Sequence, residues 1–127
     1  MGHIPPLSFK VSTTIGAYLG VVMLTSTADT VKVAAAASEL PVGITADTVL
    51  DTTMSIPVHG PGNIAKLIFN DTCTSGALVA LNNAGQGVPH VNVTAGSYVV
   101  GTLVGPTVAA TGTIADVYIN PMFKSIP

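Results

Sequence analysis

Arginine and tryptophan are absent from this 127-residue chain, cysteine occurs once, and charged residues make up only 8% of it, where about a quarter is usual in a globular domain. Each absence excludes something. Without arginine the chain lacks the favoured bidentate reader of phosphates and base edges. Its four cations are lysines spread along the sequence (Lys10, Lys32, Lys66 and Lys124) and the net charge is −2. Non-specific nucleic-acid binding needs clustered cations, so nucleic acid is not an expected partner. A lone Cys73 rules out an internal disulfide and reads as a small buried hydrophobe or an unreactive surface thiol. Nothing in Asn70-Asp71-Thr72-Cys73-Thr74-Ser75 offers a helix N-terminus or a cation to lower its pKa.

Long apolar runs are missing too, although the mean hydropathy is +0.63. The best candidate span, Val11–Ala28, is uncharged but carries six Ser or Thr and two Gly, and it falls short of about 20 continuous apolar residues. A membrane is therefore not an expected partner. Met1–Lys10 has neither the basic start nor the apolar centre of a secretory leader, which places synthesis in a cytoplasm. Between Asp71 and Asp116 lie 44 residues without Asp, Glu, Lys or Arg. Depletion of charge marks the centre of protein interfaces, so the chain is expected to work as an obligate assembly of its own copies.

Catalytic and metal-binding signals are equally sparse. The three histidines (His3, His59 and His90) show no ligand spacing on one strand or helix. A Cys73–His59 or Cys73–His90 nucleophile pair is compatible with spacing alone. Asp47 and Asp51, the closest paired carboxylates, fall in a polar loop. Gly60-Pro61-Gly62 lacks the strand–loop–helix context of a phosphate cradle and reads as a turn. No catalytic residue, cofactor or metal is assigned.

What the chain does have is β-pattern. Ser8-Phe9-Lys10-Val11 alternates like a lone strand; Tyr18–Thr25, Val31-Lys32-Val33 and Val42–Thr45 read as further strands. Met54, Ile56 and Val58 share one strand face, with Pro57 placing that strand at an edge or bulge. Ile64–Phe69 is apolar on both faces and reads as central or as lying under a neighbour. Ala77–Leu81, Val91 with Val93, and Tyr98–Val104 follow, and Ala115, Val117 and Ile119 line a final strand that Pro121 ends. Ala34–Leu40 has room for one helical turn at most. Asn82–Gly87 reads as a hairpin loop. The expected fold is all-β, a compact barrel or sandwich of about nine short strands.

The pattern also repeats. Val22 and Leu24 are echoed by Val79 and Leu81, Val31 and Val33 by Val91 and Val93, and Gly43 in Pro41-Val42-Gly43-Ile44 by Gly101 in Val99-Val100-Gly101-Thr102, at offsets of 57 to 60 residues. This predicts two similar β-units, residues 15–70 and 71–121, each too small to bury its own apolar face and closed on the other. An extended N-terminal arm, 1–14, precedes them and a tail, 122–127, follows. Prolines hold Ile4-Pro5-Pro6-Leu7 extended. The arm either docks on a neighbouring subunit through Ile4, Pro5, Pro6, Leu7 and Phe9 or folds back as an edge strand of its own domain.

Val42-Gly43-Ile44 followed by Met54-Ser55-Ile56-Pro57-Val58-His59-Gly60, with Val100-Gly101-Thr102 followed by Ala115-Asp116-Val117-Tyr118-Ile119, resembles the small two-repeat, all-β decoration or cement proteins of tailed-phage capsids. The likeness is one of pattern over Gly16 to Asn120. The family's Gly-Asp pair before the second half is Ser75-Gly76-Ala77 here. The resemblance implies a non-enzymatic virion protein on the capsid exterior that binds the major capsid protein, as a homotrimer, and stabilises the head. Two other classes remain. A glycan- or ligand-binding fibre module would need an aromatic pocket, for which three Tyr and three Phe are thin material. A small hydrolase would need a composite site at a subunit interface.

Overall fold

The computed structural model describes residues 6–24, 26–48, 53, 55–90 and 97–124. Ten strands run through them: β1 (Leu7–Val11), β2 (Gly20–Met23), β3 (Thr30–Val33), β4 (Pro41–Thr45), β5 (Ile56–His59), β6 (Ile64–Ile68), β7 (Leu78–Leu81), β8 (Gly87–Pro89), β9 (Ser97–Leu103) and β10 (Ile114–Lys124). The expected all-β class holds, and no described residue lies in an α-helix. Residues 34–40 form a turn, with Glu39 N–H donating to the Ala36 carbonyl at 3.3 Å.

The two units have the same topology. The first five strands form a closed barrel in the order β1-β3-β2-β4-β5, and the second five a sheet in the order β6-β10-β9-β7-β8. Replacing each strand of the first unit by the one five places later, and reading round the ring in the opposite sense, turns one order into the other. The register agrees residue by residue. Val21 lies opposite Gly43 and Val79 opposite Gly101, 58 positions on. The Tyr18 N–H donates to the Thr45 carbonyl at 3.0 Å, and the Gly76 N–H to the Leu103 carbonyl at 2.7 Å. Tyr18 and Gly76 both take positive φ, 64° and 87°, a conformation that costs a tyrosine about 1 kcal/mol or more and a glycine nothing. The tyrosine's carbonyl is used across the units, accepting from the Ile68 N–H at 2.9 Å.

Three expectations are corrected by this arrangement. The division between units falls at the 60–63 turn, since β6 belongs to the second sheet, and not after residue 70. The third strand of the second unit is β8, Gly87–Pro89, whose counterpart is β3; Val91 and Val93, the expected echo of Val31 and Val33, lie outside the described residues. Third, Leu7–Val11 does not project as an arm. β1 pairs antiparallel with β5 (Leu7 opposite Val58, Phe9 opposite Ile56) and parallel with β3 (Val11 opposite Val31). It closes the barrel of its own chain, because alternating Phe9 and Val11 fill the interior that β3 and β5 leave open.

The second sheet almost closes in the same way, through one parallel bridge between Phe69 and Gly87. The Asn70 N–H donates to the Gly87 carbonyl across that seam at 2.9 Å, and the first unit braces it on both sides. The Ile68 N–H reaches the Tyr18 carbonyl from one side, and the Gly20 N–H donates to the Gly85 carbonyl at 2.7 Å on the other. β6 is thus an edge strand and not the central strand its apolar residues suggest: Ala65 and Leu67 face the interior while Ile64 is exposed. Pro121 does not end the last strand. β10 passes it through a register shift between Ile119 and Met122 and goes on to pair Met122, Phe123 and Lys124 with Val99, Tyr98 and Ser97, so 122–124 belong to the sheet and not to a tail. A bulge is where a strand can carry a proline.

Two packed interiors result. Val11, Ile15, Val21, Val31, Ile56 and Val58 fill the first barrel. Leu67, Phe69, Val79, Leu81, Leu103 and Val117 fill the second, and Val22 and Ile44 of the first unit join that cluster. Burial of the first unit's outer face on the second answers the need for each small sheet to hide its apolar side.

Candidate docking surfaces

Of the five residues expected to bind a partner, Ile4 and Pro5 lie outside the described residues. Pro6 is exposed. Leu7 is 58% exposed on the outside of β1, whereas Phe9 is half-buried and packs on the barrel interior.

Other apolar side chains are exposed as well, and nothing in the sequence singles them out. On the first unit, Met23 and Leu40 stand out at 38% and 56% exposure, flanking a groove of about 320 Å³ lined by Val22, Met23, Glu39, Leu40, Pro41 and Val42. Its rim holds one ion pair: Lys32 Nζ lies 2.9 Å from Glu39 Oε2, and the Ala35 N–H donates to Glu39 Oε1 at 2.7 Å. Burial pushes the Glu39 carboxyl up, but the hydrogen bonds from Lys32 and Ala35 and the lysine's charge outweigh it and hold the group below its ordinary value of 4.5. A depressed folded-state pKa adds stability above the unfolded value, and that stability is lost as pH falls through the folded one. We expect Glu39→Gln to cost about 0.5–1 kcal/mol at pH 7 for this partly exposed pair. The difference from wild type should vanish in urea melts near pH 3; a pH-independent cost would show that the carboxylate's charge is not what matters.

On the second unit, Tyr98 and Phe123 meet edge to face, ring centroids 5.3 Å apart at 76°, with Phe123 57% and Met122 38% exposed. On the adjoining face of β6 and β10, Ile64 lies opposite Tyr118, and Lys66 opposite Asp116, an exposed pair at 3.4 Å. Between the units Tyr18, His59, Lys66 and Asp116 border an open cleft of about 300 Å³.

The residues weighed for chemistry do not assemble. Cys73 is buried, its backbone bonded both ways to Val108 at 3.0 and 2.8 Å. Burial pushes its thiol up, and the Asp71 charge pushes the same way, opposite to what a nucleophile needs. By the 58-residue offset it occupies the place of Ile15, a fully buried aliphatic of the first unit. We expect native Cys73 to react at least ~100-fold more slowly with a disulfide reagent at pH 7.5 than the guanidinium-unfolded chain does, and Cys73→Val to fold within about 1 kcal/mol of wild type. Rapid selective labelling would revive the hydrolase reading. His90 is buried, with Nε2 3.4 Å from Ser97 Oγ. Asp47 Oδ1 accepts from the Thr48 N–H at 2.8 Å. His3 and Asp51 lie outside the described residues. Among the described residues no group of three His, Cys, Asp or Glu is placed to hold a metal ion, and no helix is long and apolar enough to cross a membrane.

Exposed apolar side chains thus stand on both units of a repeated β-topology. No protein-family model and no curated protein matches the chain. Among solved structures it is similar to the N base of head fiber gp8.5 of bacteriophage phi29, with a TM-score of 0.66 at 14% sequence identity over 90% of this chain and 92% of that one. At that identity the likeness is one of fold.

Proposed function

We propose that this chain is a structural virion protein that binds the outer surface of a phage head as a homotrimer and stabilises the shell, without enzymatic activity. The observation that carries the reading is the fold shared over nearly the whole length of both chains with the base of a phage head fiber. Composition and surface support it. A glue protein present in many copies needs broad, weakly charged faces, and here charge is scarce while exposed Leu, Met, Ile and Phe are not. Its other partner is the major capsid protein. The fiber origin of the structural neighbour favours a second reading, in which the double barrel is the attachment base of a fiber; both readings put it on the head exterior.

The test mixes purified chain with empty expanded phage shells and follows co-sedimentation, occupancy by electron cryomicroscopy, and shell melting by calorimetry. Saturable binding in multiples of three per facet position, with a raised shell-melting temperature, is the expected outcome. A chain that stays in the supernatant at micromolar concentration refutes the proposal. A truncation that probes the N-terminal segment has to stop at Pro5: removing residues through Thr14 would take away β1 and open the first barrel.

A further inference from the structure

The repeat shows which surface of the first unit lacks its cover. In the second unit, β10 runs on past its partner β6 to pair with the first residues of β9, and Phe123 caps Tyr98. By the 58-residue offset, Leu40 is the counterpart of Tyr98 and Pro41 of Val99. But β5, the counterpart of β10, stops at His59 opposite Ile44. Among the described residues no strand pairs with Leu40, Pro41 or Val42 on that side, and Leu40 and Met23 are left exposed beside the apolar groove. A matching edge exists elsewhere in the chain. β10 pairs with β6 only as far as Tyr118, so Met122 and Phe123 have β9 on one side and no strand on the other, again among the described residues, and both are exposed.

We infer that these two half-finished edges meet between copies: the end of β10, carrying Met122 and Phe123, seats antiparallel to the start of β4 of a second copy, on the side that β5 leaves open, with Phe123 opposite Leu40. The chain already makes this pairing once, within its second unit, and the register repeated on β4 sets position 124, a lysine, opposite position 39, a glutamate. Both edges carry exposed apolar side chains, the kind that become interface anchors when water is excluded. The two surfaces differ, so the contact is heterologous, and copies joined head to tail close into a ring when the rotation allows. The inference names the contact behind the trimer of the proposed function and rests on that reading.

The test is light scattering and sedimentation velocity of the full chain and of Leu40→Glu and Phe123→Glu, each checked by circular dichroism for a native β spectrum. Both sites are surface positions, so folding is expected to survive. Each variant should lose self-association by roughly 30-fold or more, the loss typical of an interface anchor, and run as a monomer. Mixed one to one, the two variants retain one intact contact between them, the Phe123 edge of one and the Leu40 edge of the other, and should form a heterodimer that cannot close. A monomeric wild-type chain would sink the assembly reading itself. A wild-type oligomer that both variants preserve, or a mixture that stays monomeric, overturns the contact while leaving the assembly standing.

Discussion

Gly101→Ala should destabilise the chain by about 3 kcal/mol or more, at the top of the range for overpacking, and Gly43→Ala nearly as much. A Cβ at Gly101 would run into the Tyr118 carbonyl oxygen and carbon and crowd the Ile119 Cα; one at Gly43 would run into the His59 carbonyl and the Val58 side chain. These obstacles are mainly backbone of the paired strand, which cannot swing aside as a flexible side chain could. The cause is steric and local: β10 lies against β9, and β5 against β4, closer than a side chain permits, at the same place in both units. At roughly 3–5 °C per kcal/mol for a domain of this size, calorimetry should show a fall in Tm of about 10–15 °C for each variant. Surface glycines give the control: a Cβ added at Gly60 would meet nothing within 4 Å, and Gly60→Ala should change Tm by less than about 2 °C. If Gly101→Ala melts like wild type, the close approach of β9 and β10 is wrong.

The same pair of glycines shows how much of the fold is legible in the sequence. Gly43 and Gly101 stand out as an echo because each follows a strand-forming valine and precedes another β-branched residue, and their offset is the one that relates β4 to β9. Alternation also serves well. Ile56 and Val58 are buried with Pro57 and His59 half-buried between them, and Ala115, Val117 and Ile119 point inward from β10. What fails is whatever depends on partners distant in sequence. β1 and β6 share the spacing of apolar residues at 7, 9 and 11 and at 65, 67 and 69, yet no corresponding positions carry the same residue type, so pattern alone sets the division between units one strand too late. Pro121 would end a strand only where its neighbour needs the missing N–H, and at a bulge it does not. Leu40, Met122 and Phe123 are indistinguishable from core residues in the sequence, because their exposure follows from where β5 and β6 stop. The absence of charge points toward an interface but cannot say on which edge.

Phe69→Ala carries the other large expected effect, about 4 kcal/mol, from the lost burial of a ring and the cavity left behind. Phe69 is fully buried at the end of β6. Its N–H donates to the Thr113 carbonyl at 2.9 Å, and its carbonyl accepts from the Gly112 N–H at 2.7 Å. Gly87 leaves the room the ring occupies: a Cβ there would lie 2.9 Å from two of its carbons. The counterpart in the first barrel is Val11, whose smaller side chain should cost about 2 kcal/mol when cut to alanine. Against a total of about 5–15 kcal/mol for a domain, the phenylalanine variant is near the limit of folding at 37 °C. Its melt tests whether the units are one body. Val22 and Ile44 of the first unit belong to the same apolar cluster as Phe69, and Gly20 and Tyr18 bond across the seam, so urea unfolding followed by fluorescence and by circular dichroism should move as a single, earlier transition with unchanged slope. A melt that splits in two, with the first barrel persisting to wild-type urea concentrations, would show instead that the closed barrel stands alone and that the second sheet is built on it.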